Sequence, residues 1–285
     1  MNSDIDFSPW IGKSETEQGV VSAYPANCFS MTLDRDDPPF LEGSALPPGW
    51  HYFYFHELVA LADTGDDGHK KRGDFLPPIP FPRRMWAGSK MEFSSPILIG
   101  EKVRKTVTIA DIEIKDGKTG PLCFVTTKEE VFGEDGRLAT LEERKQVYRD
   151  NPNPSSSKPK PKPEPATPVW SRTIQPDPVL LFRYSALTMN SHRIHYDKDY
   201  VRDIEGYPGL LVHGPLTMTL MLDLFRRELP NAAVTSFDLR AVSPIYDTMD
   251  FSVHGNPNEE TQMCKLWAMS GEGALAMTAE VAYAL

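Results

Sequence analysis

"GYPGLLVHGPLTMTLMLDLFRREL", Gly206–Leu229, decides the reading of this chain. Turn residues Gly206, Pro208 and Gly209 lead to Pro215, then to an apolar run that ends in Arg226, Arg227 and Glu228. Proline suits a first helical turn, where its missing N–H has no intrahelical partner to lose, and basic residues suit the last turn. The pattern predicts a helix that is apolar almost all round, and such a helix has to be buried. Its cover follows at once. "FDLRAVSPIYDTMDFSVHG" (Phe237–Gly255), "TQMCKLWAMSGEG" (Thr261–Gly273) and "ALAMTAEVAYAL" (Ala274–Leu285) read as strands. A helix wrapped by an antiparallel sheet is the expectation for this half.

Upstream, "MEFSSPILIGEKVRKTVTIADIEI" (Met91–Ile114) repeats the order of a half-polar strand, Ser-Pro-Ile, an acidic turn and an alternating strand. Ser95-Pro96-Ile97 and Ser243-Pro244-Ile245 mark the register, and "GPLCFVTTKEEVFG" (Gly120–Gly133) supplies the next strand. The chain reads as an internal duplication. Between the copies, "NPNPSSSKPKPKPEPATP" (Asn151–Pro168) holds seven prolines, three serines and three lysines, a composition that favours extended polyproline and cannot bury a core. The expected boundaries are residues 1–150, a Pro-rich linker at 151–168, and residues 169–285. In the first half "PPGWHYFYFHELVA" (Pro47–Ala60) is the candidate for the buried helix, shorter and more aromatic, and "DTGDDGHKKRGD" (Asp63–Asp74) reads as an exposed loop.

Composition narrows the function. With 285 residues, 40% of them hydrophobic, the chain can bury a sizeable core. Lys+Arg 30 against Asp+Glu 40 gives a formal charge of -10, which opposes nucleic acid as a partner. A small anion can still be held by a local cluster of arginines. Cys28, Cys123 and Cys264 lack any CxxC spacing, so a reducing compartment is expected. The acidic "MNSDIDFSPW" start and the lack of a long apolar run predict a cytoplasmic protein without a membrane partner.

Chemistry concentrates in "MNSHRIHYDKDY", Met189–Tyr200. "LTMNSHRIHYDKDY" followed by "GYPGLLVHGPL" resembles the hydratase motif of the MaoC-like hotdog superfamily. The two-half layout, with "TLDRDDPP", "LPPIPFPRRMWAG" and "YRDNP", resembles its double-hotdog branch, which contains type-2 3-hydroxyacyl-thioester dehydratases and the hydratases of mesaconyl-C4-CoA and itaconyl-CoA. The resemblance implies an α+β double hotdog, two antiparallel sheets each wrapped around a central helix, with the N-terminal half degenerate. It implies an enoyl-CoA hydratase with CoA as part of the substrate and no other cofactor. Itaconyl-CoA or mesaconyl-C4-CoA going to citramalyl-CoA is the expected reaction. The alternatives are a 3-hydroxyacyl-thioester dehydratase of fatty-acid synthesis and a non-catalytic acyl-thioester binder. A homo-oligomer is compatible with this reading.

Carried over by position, His195 is the catalytic histidine. Asn190 stands where many single-hotdog relatives have Asp, which removes one base and leaves a side chain suited to orienting water. His192 replaces a usual Asn, and Arg193 a usual Pro. Hydration of an unsaturated thioester needs a base for water, a proton for the α-carbon and donors for the developing enolate oxygen. An imidazole near its ordinary pKa of about 6.5 can supply the first two. Gly214 can supply the third, through an orphan backbone N–H at the positive end of the helix. His213 reads as a residue at the start of the helix, and Asp197 as a loop anchor. Arg83, Arg84 and Arg240 are candidates for binding carboxylate or phosphate, with Arg84 preferred for a carboxylate at the far end of the acyl pocket. Trp86 is a candidate wall of that pocket. No metal is expected, because His192, His195 and Asp197 lack a recognised ligand spacing.

Overall fold

In a computed structural model the described residues are 6–56, 58–117, 120–151 and 160–285. Residues 152–159 of the expected Pro-rich linker lie outside them. The first half contributes β1 (Ser14–Val20), α1 (Ala23–Thr32), β2 (Arg83–Phe93), β3 (Lys102–Gly117), β4 (Gly120–Phe132) and β5 (Leu138–Arg149). The second contributes β6 (Trp170–Ile174), α2 (Pro178–Leu187), α3 (Gly214–Glu228), β7 (Ala233–Ala241), β8 (Phe251–Asn258), β9 (Met263–Met269) and β10 (Leu275–Ala284). The ten strands among the described residues form one antiparallel sheet in the order β1-β3-β4-β5-β2-β7-β10-β9-β8-β6. Read from either edge inward, the two halves present equivalent strands. They join at the β2–β7 seam, where Gly88 lies opposite Arg240 and Lys90 opposite Asp238.

The Ser-Pro-Ile marks occupy matching places. Ser95 Oγ donates to Leu138 O at 3.1 Å, and Ser243 Oγ to Leu275 O at 2.8 Å. The bonds that follow agree too, since Leu46 N–H meets Ile97 O at 2.8 Å and Val212 N–H meets Ile245 O at 2.9 Å. This register sets Pro47-Pro48 of the first half against His213-Gly214 of the second.

α3 is the buried helix that the apolar run requires, with every residue from Leu216 to Phe225 buried. Asp223 on that helix is 3% exposed and is paired with Arg35 at 2.6 Å, Arg172 at 2.5 Å and Arg227 at 2.8 Å. Arg35 comes from the first half, so the helix is tied to both. The first half has no such helix among its described residues. Pro47–Ala60, expected to fill that role, forms among its described residues only a four-residue 3-10 turn at Trp50–Phe53. Two prolines remove N–H donors, and Gly49 at φ 82° turns the backbone out of the helical region just where a helix has to start. The rings of this turn pack into the common core instead, with Phe53 5.9 Å from Tyr184 of α2. No helix among the described residues is long and apolar enough to cross a membrane. All three cysteines are free.

Candidate active site

α2 delivers the chain to the motif. Asp177 caps its start by accepting from Leu180 N–H at 2.9 Å, and Thr188 Oγ closes its end on Tyr184 O at 2.7 Å. Met189 then turns left-handed at φ 49°. The Asn190 side-chain oxygen accepts from His192 N–H at 3.0 Å, a local turn that leaves the NH2 end of the amide to donate. His195 closes the 3-10 turn Arg193–His195 and is buried. Its Nδ1–H donates to Leu211 O at 2.8 Å. Because a carbonyl can only accept, the ring proton resides on Nδ1 and Nε2 presents its lone pair.

The His195 ring stacks on His213 at 3.7 Å, 20° from parallel. His213 is fully buried at the N-cap of α3 and bonds Ser185 Oγ through Nε2 at 2.8 Å. Burial lowers the proton affinity of both rings, His195 to about 4 and His213 well below 6.5. This corrects the sequence expectation of an imidazole near its ordinary value. His195 is neutral through the whole neutral range.

The first half then closes over the motif. Asp63–Asp74, read from the sequence as an exposed loop, is docked on it: Arg193 N–H donates to Asp67 O at 2.9 Å and Ser191 Oγ to Gly68 O at 2.6 Å. Gly68 is required there, because its φ is +88° and a Cβ would lie 2.1 Å from Ser191 O. The docked loop presents His69, whose N–H and Nδ1 bond the Asp67 carboxylate at 2.9 and 3.2 Å. The His69 ring lies 4.0 Å from His192, and His192 lies 5.5 Å from His195.

Arg84 on β2 is half-buried, donates to Gln146 Oε1 at 3.1 Å, and has no carboxylate in ion-pair range among the described residues. With Gly65, Asp67, His69, Lys70, Lys71 and Arg72 it lines a recess of about 190 Å³. That is below the roughly 300–1,000 Å³ of a drug-sized ligand site and suits the end of an acyl group rather than a whole CoA. Trp86, two residues on, lies with its ring against Gly214, where a Cβ would come 2.8 Å from Trp86 Cε3. Its indole N–H donates to Ser89 Oγ at 3.0 Å, and Ser89 in turn donates to the buried Glu142. Tyr52 O–H also donates to Glu142 at 2.8 Å, and Arg144 pairs with Glu142 at 3.1 Å and Glu129 at 3.3 Å. This buried ionic cluster fixes Trp86 from behind.

Other expected ligands are placed elsewhere. Arg83 is engaged by Asn151 Oδ1 at 2.9 Å, Tyr207 O–H at 2.8 Å and Glu205 O at 2.7 Å, so it ties the halves together rather than facing the recess. Arg193 pairs with Asp197 at 2.8 Å and reaches Asp66 O at 3.0 Å. Arg240 sits on the exposed face of β7, alternating with buried Phe237 and Leu239. Asp197 accepts from Tyr200 N–H at 3.0 Å and anchors the loop, so His192, His195 and Asp197 form no ligand set. The ligand atoms of Asp67, His69 and His192 do lie within 4.8 Å of one another. Asp67 is already bonded to His69, however, and Arg72, Arg84, Lys70 and Lys71 line the same recess, so its charge suits an anion better than a divalent cation.

Asp67, His69 and the Glu129–Glu142–Arg144 cluster are absent from the sequence reading. A signal for the cluster exists in "TTKEEVF" and "LEERKQV", where Glu129 and Glu142 take the inward positions of alternating strands.

Residues 49–247 match the family described as hydroxyacyl-thioester dehydratase type 2. The chain is 39% identical to the mesaconyl-C(4)-CoA hydratase of Chloroflexus aurantiacus over 98% of each chain. It is 27% identical to the mitochondrial hydroxyacyl-thioester dehydratase type 2 of Schizosaccharomyces pombe, over 78% of this chain and 79% of that one. Among solved structures, a MaoC-like dehydratase from Phytophthora capsici aligns with a TM-score of 0.69 at 13% identity, covering 98% of this chain and 99% of the other. A Mycobacterium tuberculosis protein described as a double hotdog aligns at 0.58 with 13% identity, covering 96% of each.

Proposed function

We propose that this chain, which belongs to the hydroxyacyl-thioester dehydratase type 2 family, is a hydro-lyase that adds water to a short, branched, dicarboxylic enoyl-CoA, with itaconyl-CoA or mesaconyl-C4-CoA giving citramalyl-CoA. The observation that supports this substrate class is Arg84, a half-buried guanidinium without a counter-ion among the described residues, beside His69 and His192. A guanidinium partly withdrawn from water and without a counter-ion is suited to pair with an anionic group. Chemistry fixes where such a cation has to stand. In citramalyl-CoA the hydroxyl and the free carboxylate share one carbon, so the carboxylate ligand belongs beside the base that activates water, not at the far end of the pocket. Arg84 is the candidate for that role, since it neighbours His69 and His192 and the His192 ring lies 5.5 Å from that of His195.

In this reading, with mesaconyl-C4-CoA as the substrate, His195 Nε2 takes a proton from water as the oxygen attacks the β-carbon. Asn190, its oxygen held by His192 N–H, orients the water through its NH2 end. Gly214 N–H, in the first turn of α3 and so without an intrahelical acceptor, meets the thioester oxygen as it gains enolate charge. One donor of this kind is worth about 3–4 kcal/mol of barrier. Trp86 walls the acyl group on the first-half side.

The test is a panel of enoyl-CoA esters followed by loss of the conjugated thioester absorbance, or for itaconyl-CoA, whose methylene is not conjugated with the thioester, by chromatographic appearance of citramalyl-CoA, with Arg84→Met beside the wild type. We expect the wild type to prefer the dicarboxylic esters. Arg84→Met should raise KM for them about tenfold or more while crotonyl-CoA, without a second carboxylate, changes little. Equal losses on both would assign Arg84 to CoA phosphate or to the fold. A wild type that prefers crotonyl-CoA or longer chains would favour dehydration of 3-hydroxyacyl thioesters, the same site run in reverse.

A further inference from the structure

We infer that Gln146 is the positioning residue that keeps this site selective for an anionic acyl group: its side-chain oxygen seats Arg84 without neutralising it, and Tyr148 holds that oxygen in place. The inference rests on the hydratase reading above, with Arg84 as the partner of the substrate carboxylate. On β5, Gln146 lies opposite Trp86 and Tyr148 opposite Arg84. Gln146 Oε1 accepts from Arg84 Nε–H and from Tyr148 O–H, each at 3.1 Å, which occupies both lone pairs of a carbonyl oxygen. Tyr148 is fully buried, and the Arg72 guanidinium lies 5.1 Å over its ring, so the seat is held from behind. It engages only Nε of Arg84. The two terminal nitrogens, the end of the fork that matches a carboxylate, take no partner among the described residues. An amide oxygen also cancels none of the charge, as a glutamate in its place would. The other charges around the recess are already engaged. The carbonyls of Ile79, Phe81 and Pro82 accept from Arg72, Ala62 O accepts from Lys71 at 2.8 Å, Lys70 pairs with Asp74 at 3.3 Å, and Asp67 bonds His69. Arg84 is the cation that the recess leaves for a ligand.

One extra residue in β2 brings Arg84 to this seat. Ser89 and Met91 face the core, opposite the buried Leu239 and Phe237 of β7. Unbroken alternation would turn Ala87, Met85 and Arg83 to the same side. A β-bulge between Trp86 and Gly88 intervenes, and the side chains on that side are instead Trp86, bonded to Ser89, and Arg84, bonded to Gln146. Gly88 permits the close approach to β7 at the bulge, since a Cβ there would lie 2.4 Å from Leu239 O.

The experiment uses the full chain with mesaconyl-C4-CoA and crotonyl-CoA as probes and reads kcat and KM for each. Gln146→Glu turns the seat into a counter-ion at almost constant size. It should lower the preference for mesaconyl-C4-CoA over crotonyl-CoA about tenfold or more, with the loss in KM, because Arg84 is then paired within the protein. Gln146→Leu removes the seat and should lower the same preference by about three- to tenfold; in an Arg84→Met background it should add less than about twofold, since no guanidinium is left to orient. Damage to the fold alone lowers both probes alike and leaves the preference unchanged, so it does not imitate this result. The inference is overturned if Gln146→Glu keeps the preference within about threefold of wild type while Arg84→Met abolishes it, or if Gln146→Leu acts equally with and without Arg84. An Arg84→Met variant that keeps the preference, or a wild type that prefers crotonyl-CoA, overturns the carboxylate reading of Arg84 itself, an outcome distinct from both.

Discussion

At the scale of single residues the proposed mechanism depends on a histidine kept neutral by its surroundings. Nδ1 of His195 is held by Leu211 O and its ring by His213, while burial lowers its proton affinity to about 4. His195→Gln keeps the donor toward Leu211 and removes the base, so we expect kcat to fall by about 10²–10⁴-fold at little cost in melting temperature. In the wild type the acid limb of activity should lie well below pH 6.5, since His195 remains unprotonated until the pH approaches its own lowered value; a limb centred near 6.5 would contradict the burial argument. His195, Asn190 and Gly214 could be nominated from the sequence because they lie in one short stretch that leads into an unmistakable helix. His69 could not. It sits in a charged run that composition assigns to solvent, and what buries it is a loop 123 residues away. Arg83 and Arg84 show a related limit, because neighbours in a strand point to opposite faces, and no local signal says which face holds the recess.

At the scale of elements, the contact between β2 and the start of α3 carries the most consequence. Gly214 permits the Trp86 ring to lie against the helix, and a Cβ there would be 2.8 Å from Trp86 Cε3. Gly214→Ala should therefore destabilise by about 1–3 kcal/mol, the usual range for overpacking, and lower turnover further by displacing the N–H. Trp86→Leu in the same chain should recover the stability but not the rate. Melting temperatures and kcat of the single and double variants check this, and additive losses would sink the idea of a direct clash. The helix itself was plain from the run Leu216–Phe225. Its missing counterpart was not, because aromatic Pro47–Ala60 has the apolarity of a buried helix, and only Pro47, Pro48 and the φ of Gly49 decide against it.

At the scale of the whole molecule, one sheet of ten strands makes the halves a single folding problem, with charge buried on both sides of the seam. Burial lowers His51 to about 3 and His195 to about 4, and holds His213 lower than its ordinary value. The unfolded chain binds protons at these sites from about pH 6.5 downward while the folded chain does not. Stability should therefore be highest above 6.5 and fall toward pH 4, by about 1.4 kcal/mol per pH unit for each such histidine. Glu129, lowered to about 2 by Arg144 and Lys105 against the opposing effect of burial, adds its own loss below 4.5. Urea unfolding across this range should show the slope, and His51→Gln should reduce it by about one proton; a flat profile from 7 to 5 would refute the account. The duplication was readable from the Ser-Pro-Ile marks, whereas the continuity of the sheet depends on the pairing of Gly88 with Arg240, which no local pattern announces. The register that sets Pro47-Pro48 against His213-Gly214 also fixes a stoichiometry. Two equal halves would make a symmetric body with two catalytic centres. Pro48 offers no N–H for an enolate and Pro47 no imidazole, so in the proposed reading the described residues form one such centre per polypeptide, and the first half, without a centre of its own, is free to give Trp86 and Arg84 to the second.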